Sequence, residues 1–460
     1  MITLRPNQIE PIKKAVEFFN NKFARPSLIV LPTAWGKSIL TAFVAKECND
    51  KLLIVQPSKE LLEQNYAKYK MLCGDINLNA AIYSASVGQK EIGDITYATI
   101  GSIKNIGSRF KELGFTKMLV DEAHLYPREA DSMLGTFLKD SGITHVLGIT
   151  ATPIKLQTNY DKDGNIYSKL VMLTSRSYKG NFFKSIIHVT QVKEMVALRY
   201  WSPLRYVVDD DFDSSKLTLN STGAEYTAES IQAAFKANNI EEKITTTLDK
   251  LKDRKHILVF VPSVEDAEKL SMSYPNSAYI HGMMNKKERA DVIDRFRAGK
   301  IRAIFNVRVL STGFDYTGID CIIFGMSTAS VALYYQIVGR ATRIDPNKKD
   351  AMIVDFGGNV KRFGHVEDIT FESGSVWRMF GTGKKLLSGI PIKSIGTITE
   401  DYTKMMDELN FVPIDIMPFG KYKGEQLKDI PRGYRQWMID KFSWSSPSDR
   451  LRMSLLKLNT

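Results

Sequence analysis

Three short segments, far apart in the sequence, carry side chains suited to phosphate chemistry. Residues 31–38 read LPTAWGKS, residues 121–124 read DEAH, and residues 336–343 read QIVGRATR. The first lies where an apolar run precedes a helical pattern, and backbone N–H groups in such a loop can surround a phosphate at the positive end of a helix. In this order the segments predict a nucleotide site built from two halves of the chain.

The lysine and hydroxyl of the first segment predict a phosphate and metal site. We expect Lys37 to neutralise charge on the β- and γ-phosphates and the Ser38 hydroxyl to bind Mg²⁺. The full phosphate-loop pattern requires glycine at position 31, where this chain has Leu31. An ordinary strand–turn–helix is the alternative for this loop.

The adjacent carboxylates of the second segment follow the apolar residues 118–120 and therefore emerge at the carboxyl end of a strand. We expect Asp121 to hold the metal, directly or through water, and Glu122 to orient and deprotonate the attacking water. Such chemistry depends on positioning and charge compensation. A solvated turn is the alternative for an isolated Asp-Glu pair.

The third segment carries two arginines three positions apart, which places both on one helix face. If the two halves of the chain close, Arg340 and Arg343 are candidates for arginine fingers on the γ-phosphate. Surface ion pairing is the alternative for each arginine alone.

Two series of strands and helices must position these groups. Continuous apolar strands separated by helices predict parallel sheets covered on both faces. Strands are expected at residues 27–31, 51–56, 95–98, 117–120, 144–149, 255–261, 277–281, 301–306, 321–325 and 351–356. The predicted organisation is a first lobe at 1–205, a connector at 206–250, a second lobe at 251–373, a linker at 374–410 and a small module at 411–460.

The composition is that of an ordinary globular protein with a basic surplus. Among 460 residues, 63 Lys and Arg against 51 Asp and Glu give a net charge of +12, which suits a polyanion such as nucleic acid; a merely soluble basic protein is the alternative. Three scattered cysteines make no disulfide framework or zinc cluster. No membrane-spanning run or signal peptide is recognised, so we expect a cytoplasmic protein.

Together with further segments, these residues resemble the motifs of superfamily 2 helicases and translocases, in the DEAH-type branch. The resemblance covers residues 1–370 and implies an α/β fold with two tandem RecA-like parallel-sheet lobes plus a small C-terminal module. It rests on segments 4–8 (LRPNQ), 32–38, 56–61, 99–103, 121–124, 150–153 (TATP), 256–262, 306–315 (NVRVLSTGFD) and 336–343.

The resemblance assigns roles to individual residues. It implies that Gln336 joins Glu122, Lys37 and the two arginines in catalysis, and that it meets His124 across the cleft. Thr150 and Thr152 would couple the nucleotide state to lobe closure, together with His124. ATP would be bound by Arg5, Gln8, Thr33, Ala34, Trp35, Gly36, Lys37, Ser38, Gly313 and Asp315. A nucleic-acid backbone would be touched by Pro57, Ser58, Thr99, Ser102, Pro262, Ser263, Val309 and Thr312, for each of which a cap or turn role is the alternative.

The first segment departs from the family pattern at two positions. Ala34 replaces a glycine, so a positive φ there would be strained. Trp35 is expected to put a large ring beside the phosphates. The loop is therefore expected to be slightly reshaped, with hydrolysis retained.

The compact first lobe and the opening Leu-Arg-Pro-x-Gln are most similar to phage recombination helicases of the UvsW kind and to the RecG group. The first motif begins at residue 4, which leaves no room for an N-terminal DNA-binding domain, so fork recognition is expected from the C-terminal module. There Lys421, Tyr422 and Lys423 interleave basic and aromatic side chains, in a segment that resembles a small domain appended to some bacterial and phage exonucleases. A simple mini-core is the alternative for its rings.

These observations predict an ATP- and Mg²⁺-dependent DNA helicase or branch-migration translocase. We expect it to act as a monomer on forked or branched DNA, in a bacterium or a phage-infected bacterial host. The alternatives left open are an RNA helicase, the motor subunit of a restriction-type system, and a nucleotide-gated DNA-binding protein that does not hydrolyse ATP.

Overall fold

The structure is a computed structural model of the chain. It describes residues 3–48, 50–73, 79–126, 132–161, 164–175, 182–307, 309–311, 314, 316–374, 376–395, 415–418, 420–441, 451, 454–455 and 458. The predicted nucleotide and nucleic-acid residues Thr312, Gly313 and Asp315 lie outside these residues.

The first lobe is built on an eight-stranded sheet in the order β10-β1-β7-β6-β2-β5-β3-β4. Neighbouring strands run parallel except for β4, which is antiparallel to β3 at the sheet edge. The strands are β1 (Ser27–Val30), β2 (Leu52–Gln56), β3 (Ala80–Ser84), β4 (Gln89–Lys90), β5 (Ile95–Thr99), β6 (Lys117–Asp121), β7 (His145–Thr150) and β10 (Ser185–Val189). Because its central strands are buried along their whole length, this sheet reads in the sequence as continuous apolar runs.

Seven helices accompany this sheet. They are α1 (Pro6–Asn20), α2 (Lys37–Glu47), α3 (Lys59–Cys73), α4 (Ile100–Ile103), α5 (Gly107–Glu112), α6 (Met133–Ser141) and α7 (Val192–Ala197). Helix α1 begins with Pro6 in its first turn, where the missing N–H costs no hydrogen bond.

The second lobe is a six-stranded, all-parallel sheet in the order β11-β16-β15-β12-β14-β13. Its strands are β11 (Leu204–Val208), β12 (Ile257–Phe260), β13 (Ser277–Ile280), β14 (Ala303–Asn306), β15 (Cys321–Phe324) and β16 (Ala351–Asp355). Its helices are α8 (Ala228–Ala237), α9 (Ile240–Lys250), α10 (Val264–Ser273), α11 (Lys286–Arg297), α12 (Val331–Ala341) and α13 (Asn359–Phe363). The predicted α/β fold with two parallel-sheet lobes is confirmed.

The segment predicted as a connector belongs in part to the second sheet. Strand β11 begins at Leu204 and pairs along its length with β16. The chain therefore passes from one sheet to the other between β10 and β11, just after α7.

Two antiparallel strand pairs lie outside both sheets. A hairpin of β8 (Ile154–Tyr160) and β9 (Ile166–Met172) follows the first sheet, and β17 (Thr370–Ser373) pairs with β18 (Trp377–Phe380) after the second. The described part of the predicted linker, 376–395, packs back on the hairpin: the Gly389 N–H donates to the Leu170 carbonyl at 2.6 Å. Leu387 and Ile392 in it are buried.

The described part of the C-terminal module has its own small apolar cluster. Met417, Leu427, Ile430 and Met438 form it together with three further apolar residues, separately from the larger cores. Helix α14 (Arg432–Lys441) supplies one side of this cluster.

Candidate nucleotide site

The phosphate-loop segment connects β1 to α2. Gly36 is the N-cap residue of α2 and has a φ of +99°. Because glycine has no side chain, no side-chain hydrogen bond caps the backbone N–H groups at this end of the helix. A Cβ at Gly36 would also lie 2.9 Å from Gln8 Nε2, so both the backbone angle and the close neighbour require glycine. An uncapped N-terminus of an 11-residue helix is a site for a phosphate.

Ala34 in the same loop has a φ of +59°. A left-handed conformation costs a non-glycine residue about 1–2 kcal/mol, so the strain predicted at this position is present. The Trp35 ring is 0% exposed and lies in the apolar core. The ring is therefore enclosed by apolar neighbours and is not exposed in the cleft.

The Gln8 amide connects α1 to this loop. Its Nε2 donates to the Trp35 carbonyl at 3.0 Å, and its Oε1 accepts from the Arg5 N–H at 3.0 Å. One N–H and one lone pair of the amide remain, and together they can bond an acceptor and a donor of a purine. The Arg5 guanidinium lies 4.5 Å from the centre of the Tyr200 ring.

The Lys37 ammonium forms an ion pair with the Glu122 carboxylate. Burial would lower the pKa of Lys37, but Glu122 and Asp121 outweigh it and raise the pKa above its ordinary value. Burial opposes ionisation of Glu122, yet Lys37 and His124 together lower its pKa. Burial raises the pKa of Asp121 to about 6, with the Lys37 charge opposing. The loop lysine and both carboxylates of β6 thus form one charged cluster.

Backbone geometry and neighbours hold the two carboxylates. Glu122 adopts a left-handed φ of +47° directly after β6, and its N–H donates to Asp121 Oδ1 at 2.9 Å. Asn65 on α3 is 7% exposed, and its Nδ2 lies 3.5 Å from Asp121 Oδ2. Asn65 was not identified from the sequence, because an asparagine inside a helical pattern carries no signal of its own.

The second lobe reaches this cluster through α12. Gln336 Nε2 lies 3.4 Å from His124 Nε2, and His124 Nδ1 is 2.8 Å from Thr150 Oγ1. The Arg340 guanidinium donates to the Phe314 carbonyl at 2.8 Å, and its charge helps to lower the pKa of Glu122. Burial lowers the pKa of Arg340 to about 10. Side chains from residues more than 200 positions apart therefore share one cleft.

A glycine of the second lobe lies against the phosphate loop. A Cβ at Gly339 would lie 2.5 Å from Thr33 Oγ1, so α12 packs directly against the phosphate loop. The neighbouring Arg343 is largely buried, and burial lowers its pKa to about 10. Thr152, the second predicted coupling threonine, is 0% exposed beneath this surface.

A short segment missed from the sequence ties the loop to the end of α12. Trp201 Nε1 donates to the Thr33 carbonyl at 2.9 Å. Ser202 N–H donates to the Thr342 carbonyl at 2.8 Å, and Ser202 Oγ donates to the Arg343 carbonyl at 2.8 Å. Trp201 and Ser202 are 2% and 4% exposed. These bonds go to carbonyl groups, which every residue carries, so no sequence motif could have indicated them.

The residues of the cleft fit a magnesium nucleotide. Among the described residues no group of three or more His, Cys, Asp and Glu side chains could hold a metal. Asp121 and Ser38 supply one carboxylate and one hydroxyl, a donor set that suits Mg²⁺ completed by phosphates and water. The uncapped end of α2 and the Lys37 ammonium suit the phosphates themselves.

The predicted nucleic-acid residues of the first lobe follow the carboxyl ends of β2 and β5. Thr99 Oγ1 lies 2.9 Å from Ser102 Oγ and 3.1 Å from Ser84 Oγ. Ser58 Oγ accepts from the Leu61 N–H at 3.3 Å, and neighbouring Pro57 is half-buried. Parallel strands place these hydroxyl groups on one edge of the sheet.

The remaining predicted contacts lie elsewhere. In the second lobe, Ser263 caps α10 by accepting from the Asp266 N–H at 3.1 Å, so it has the cap role that was the alternative for this residue. Pro262 and Val309 are half-buried.

In the C-terminal module, the Tyr422 and Tyr434 rings pack edge to face, 4.7 Å apart, against the apolar cluster.

Lys421 and Lys423 are exposed, as are the basic side chains of Lys428 and Arg432 in the same module. The Lys421 ammonium lies 5.2 Å from the centre of the Tyr422 ring. Trp437 remains 48% exposed. The described rings thus divide between a mini-core and the surface.

Three family models match the chain. Type III restriction enzyme, res subunit, matches residues 1–155, and helicase conserved C-terminal domain matches residues 238–345. A third, with the provisional description of a quorum-sensing-regulated virulence factor, matches residues 407–456.

Curated relatives are similar over most of this chain. The provisionally named mitochondrial ATP-dependent helicase irc3 of Schizosaccharomyces pombe is 26% identical, over 80% of this chain and 59% of its own length. IRC3 of Saccharomyces cerevisiae, also provisionally named an ATP-dependent helicase, is 22% identical over 72% and 48%. The DNA 3'-5' translocase XPB2 of Sulfurisphaera tokodaii is 23% identical over 77% and 81%. The chain thus spans 59% and 48% of the two irc3 relatives.

Solved structures share the fold. A fragment of an HsdR-type subunit of a type I restriction enzyme from Vibrio vulnificus aligns with a TM-score of 0.56 and 19% identity, covering 78% of this chain and 65% of that one. The Type ISP restriction-modification enzyme LlaBIII, bound to DNA, aligns with a TM-score of 0.53 and 17% identity, covering 77% and 28%. No helix in the described part of the chain is long and apolar enough to cross a membrane.

Proposed function

We propose, from the premise that this chain belongs to helicase superfamily 2, that it hydrolyses ATP to move along DNA. The observation that carries this proposal is the convergence of Lys37 and Glu122 from one lobe with Gln336 and Arg340 from the other. Because each wall of the cleft supplies part of the site, a nucleotide bound there contacts both lobes and can close them.

The proposed chemistry assigns each group one task. The end of α2 and Lys37 bind the phosphates, and Lys37 leaves Glu122 to do so. The released Glu122 carboxylate then orients a water and accepts its proton, while Arg340 and Arg343 stabilise charge that develops on the transferred phosphoryl group. Bound Mg²⁺, held from Ser38 and Asp121, would neutralise phosphate charge.

We propose branched or forked DNA as the substrate, as in the UvsW and RecG group. The net charge of +12 supports a polyanion, and the hydroxyl groups beside β2 and β5 suit contacts to a backbone without sequence readout. The exposed lysines of the C-terminal module would add contacts at the fork. We place this activity in the cytoplasm of a bacterium or of a phage-infected bacterial host.

A second candidate function is the motor of a restriction-type system. The family model over residues 1–155 and the likeness to restriction-enzyme folds favour it. Such a motor requires a nuclease on this chain or on a partner. In the part of the chain that the structure describes, no group of three or more His, Cys, Asp and Glu side chains could hold a metal ion.

The test compares ATP hydrolysis by wild type and Glu122→Gln with no polymer, single-stranded DNA, forked DNA and RNA. We expect DNA to stimulate the wild type more than RNA, and Glu122→Gln to lose hydrolysis by about 100-fold or more while still binding nucleotide. Unchanged hydrolysis in the variant would refute the catalytic assignment. Preferential stimulation by RNA would replace DNA by RNA as the substrate.

A further inference from the structure

The carboxyl end of α12 is held by a lysine that lies outside every motif segment. Ala341 is the last residue of α12, so its carbonyl has no partner within the helix. Lys348 Nζ donates to that carbonyl at 3.0 Å. A positive charge is favourable at this end of a helix, because the helix dipole is negative there. Since Arg340 directly precedes Ala341, Lys348 holds the main chain beside a proposed catalytic group.

The same ammonium group binds the segment that leads into β15, residues 314 and 316–320. Lys348 Nζ also donates to the Thr317 carbonyl at 3.0 Å and to the Ile319 carbonyl at 3.1 Å. An ammonium group has three N–H donors, so three main-chain carbonyls match its full donor set. Lys348 thus joins the end of α12 to a segment on the other side of β15 in the sequence.

That segment also holds the side chain of Arg340. The Arg340 guanidinium donates to the Phe314 carbonyl at 2.8 Å. In the sequence, Phe314 stands between Gly313 and Asp315, which are the residues of the second lobe predicted to bind ATP. Lys348 is therefore connected to Arg340 twice: to its main chain through the end of α12, and to its guanidinium through the segment before β15.

The turn that carries Lys348 contacts the same segment. The main-chain N–H of Lys348 donates to the Asp345 carbonyl at 3.0 Å, and Asp345 Oδ1 accepts from the Asn347 N–H at 2.9 Å. Asp345 Oδ2 accepts from the Thr317 hydroxyl at 2.6 Å. The turn and the ammonium group thus bond the segment at one residue, Thr317, which fixes where the ammonium group lies.

The surroundings of Lys348 make its charge sensitive to pH. Burial lowers the pKa of Lys348 to about 8, while Asp345 and Asp320 oppose this shift and Arg343 adds to it. At neutral pH the group is an ammonium ion with three donors. A rise in pH through the pKa leaves an amine with two N–H groups, and therefore removes the charge together with one of the three bonds.

We propose that Lys348 is a positioning residue for ATP hydrolysis, which holds α12 and the segment before β15 in the arrangement that presents Arg340 to the transferred phosphoryl group. This inference rests on the proposed function and adds to it a residue that acts through another one. The simpler role is stabilisation of the second lobe alone. The two roles differ measurably, because a positioning residue changes the catalytic step through Arg340, whereas a stabilising residue changes the folded fraction.

The experiment measures kcat and KM for ATP hydrolysis by the full chain in the presence of single-stranded DNA. We expect Lys348→Met to lower kcat by about tenfold or more and to change KM by less than about twofold, because the phosphates still bind the end of α2 and Lys37. Lys349→Met is the matched control: it removes the charge of the exposed neighbouring lysine and should behave as wild type. Circular dichroism checks the fold, and Lys348→Gln, which keeps two N–H groups, replaces a Met variant that does not fold.

Two further measurements separate positioning from stability. In an Arg340→Ala background, Lys348→Met should cause no additional loss of single-turnover hydrolysis, because the residue through which it acts is already gone. In wild type, kcat should fall as the pH rises from about 7 to about 9, since Lys348 loses its proton in this range. That fall should be absent in Lys348→Met.

The outcomes are separable. A wild-type protein that does not hydrolyse ATP would refute the proposed function, and the inference would fall with it. With wild-type hydrolysis intact, a normal kcat in Lys348→Met, or losses that add in the double variant, would overturn the inference alone. Failure of both Lys348 variants to fold, or a loss of activity equal to the unfolded fraction, would assign the lysine to lobe stability and overturn the inference as well.

Discussion

At the scale of single residues, the proposed mechanism gives the Lys37–Glu122 ion pair control over the order of events in the cleft. While it persists, the carboxylate is bound to an ammonium group and is poorly placed to accept a proton from water. An incoming phosphate competes for Lys37 with a higher negative charge, which releases Glu122. Nucleotide binding and preparation of the general base are therefore one exchange of partners.

His124 gives a pH dependence at this scale. Burial lowers the pKa of His124 to about 4, whereas an unfolded histidine titrates near about 6.5. Between these values the unfolded chain binds a proton that the folded chain does not, so the free energy of unfolding falls as the pH falls.

We expect this residue alone to contribute a loss of about 2 kcal/mol between about pH 7 and about pH 5. Urea unfolding of wild type and His124→Gln at both pH values measures it, because the variant lacks the titrating group. An equal acid sensitivity in the two proteins would contradict the assignment.

Most residues of this cluster could be predicted from their types. The hydrogen bonds that connect the phosphate loop and α12 to Trp201 and Ser202 could not. The loop lysine, the adjacent carboxylates and the paired arginines, in this order along the chain, predicted a phosphate site. The strain at Ala34 was predicted because alanine replaces a glycine there. The burial of the Trp35 ring could not be predicted, because a sequence does not tell which face of a loop meets the core. Trp201 and Ser202 were not predicted, because they bond main-chain carbonyl groups, which every residue carries.

At the scale of elements, α12 is the part that carries the second lobe into the site. It holds Gln336, Gly339 and Arg340 within 11 residues, and a Cβ at Gly339 would clash with Thr33 of the phosphate loop. A side chain at this position would push the helix away from Thr33. The helix itself would tolerate the change, since alanine favours a helix interior over glycine by about 1 kcal/mol.

We therefore expect Gly339→Ala to stay folded and to lose kcat/KM for ATP by about tenfold or more, because the arginines no longer reach the phosphates. Gly282→Ala is the matched control, since a Cβ there meets no atom within 4 Å. Steady-state ATP hydrolysis and circular dichroism of both variants provide the measurement. Wild-type kinetics in Gly339→Ala would mean that the lobes approach in another way.

Ten of the fourteen strands in the two sheets were predicted, whereas β3, β4, β10, β11 and the two strands of the hairpin were not. Buried parallel strands leave continuous apolar runs, so the ten predicted strands correspond to strands of the two sheets within a few residues. The β8–β9 hairpin instead alternates polar and apolar residues with few turn signals other than Asp161 to Asn165. It lies within residues 1–205, which were predicted as the first lobe, in a stretch where no strand was expected.

At the scale of the whole molecule, the described buried apolar residues form three separate clusters of unequal size. The C-terminal cluster shares no member with the other two. Loss of this module should therefore leave the packing of both lobes intact. Its exposed lysines make it a candidate for nucleic-acid binding that is separate from the nucleotide cleft.

We expect a variant that lacks residues 411–460 to keep the basal ATP hydrolysis and thermal stability of the lobes and to bind forked DNA more weakly. The matched variants Lys421→Ala and Lys423→Ala in the intact chain should each reduce the salt dependence of fork binding, by about one counterion if each lysine contacts a phosphate. Fluorescence anisotropy at several salt concentrations measures both effects. Fork affinity equal to wild type in the truncated protein would remove the module from DNA recognition.

The polypeptide passes between the two sheets twice: once through Trp201 and Ser202 into β11, and again where the segment after β16 returns to the first lobe. On the return, the Gln191 side chain bonds both the N–H and the carbonyl of Phe371, at 3.1 and 2.7 Å. Two bodies joined at two points can turn about the line through those points but cannot drift apart or slide freely. For the proposed motor we therefore expect a rotation of the lobes about that line, in which the residues farthest from it travel the greatest distance in each cycle.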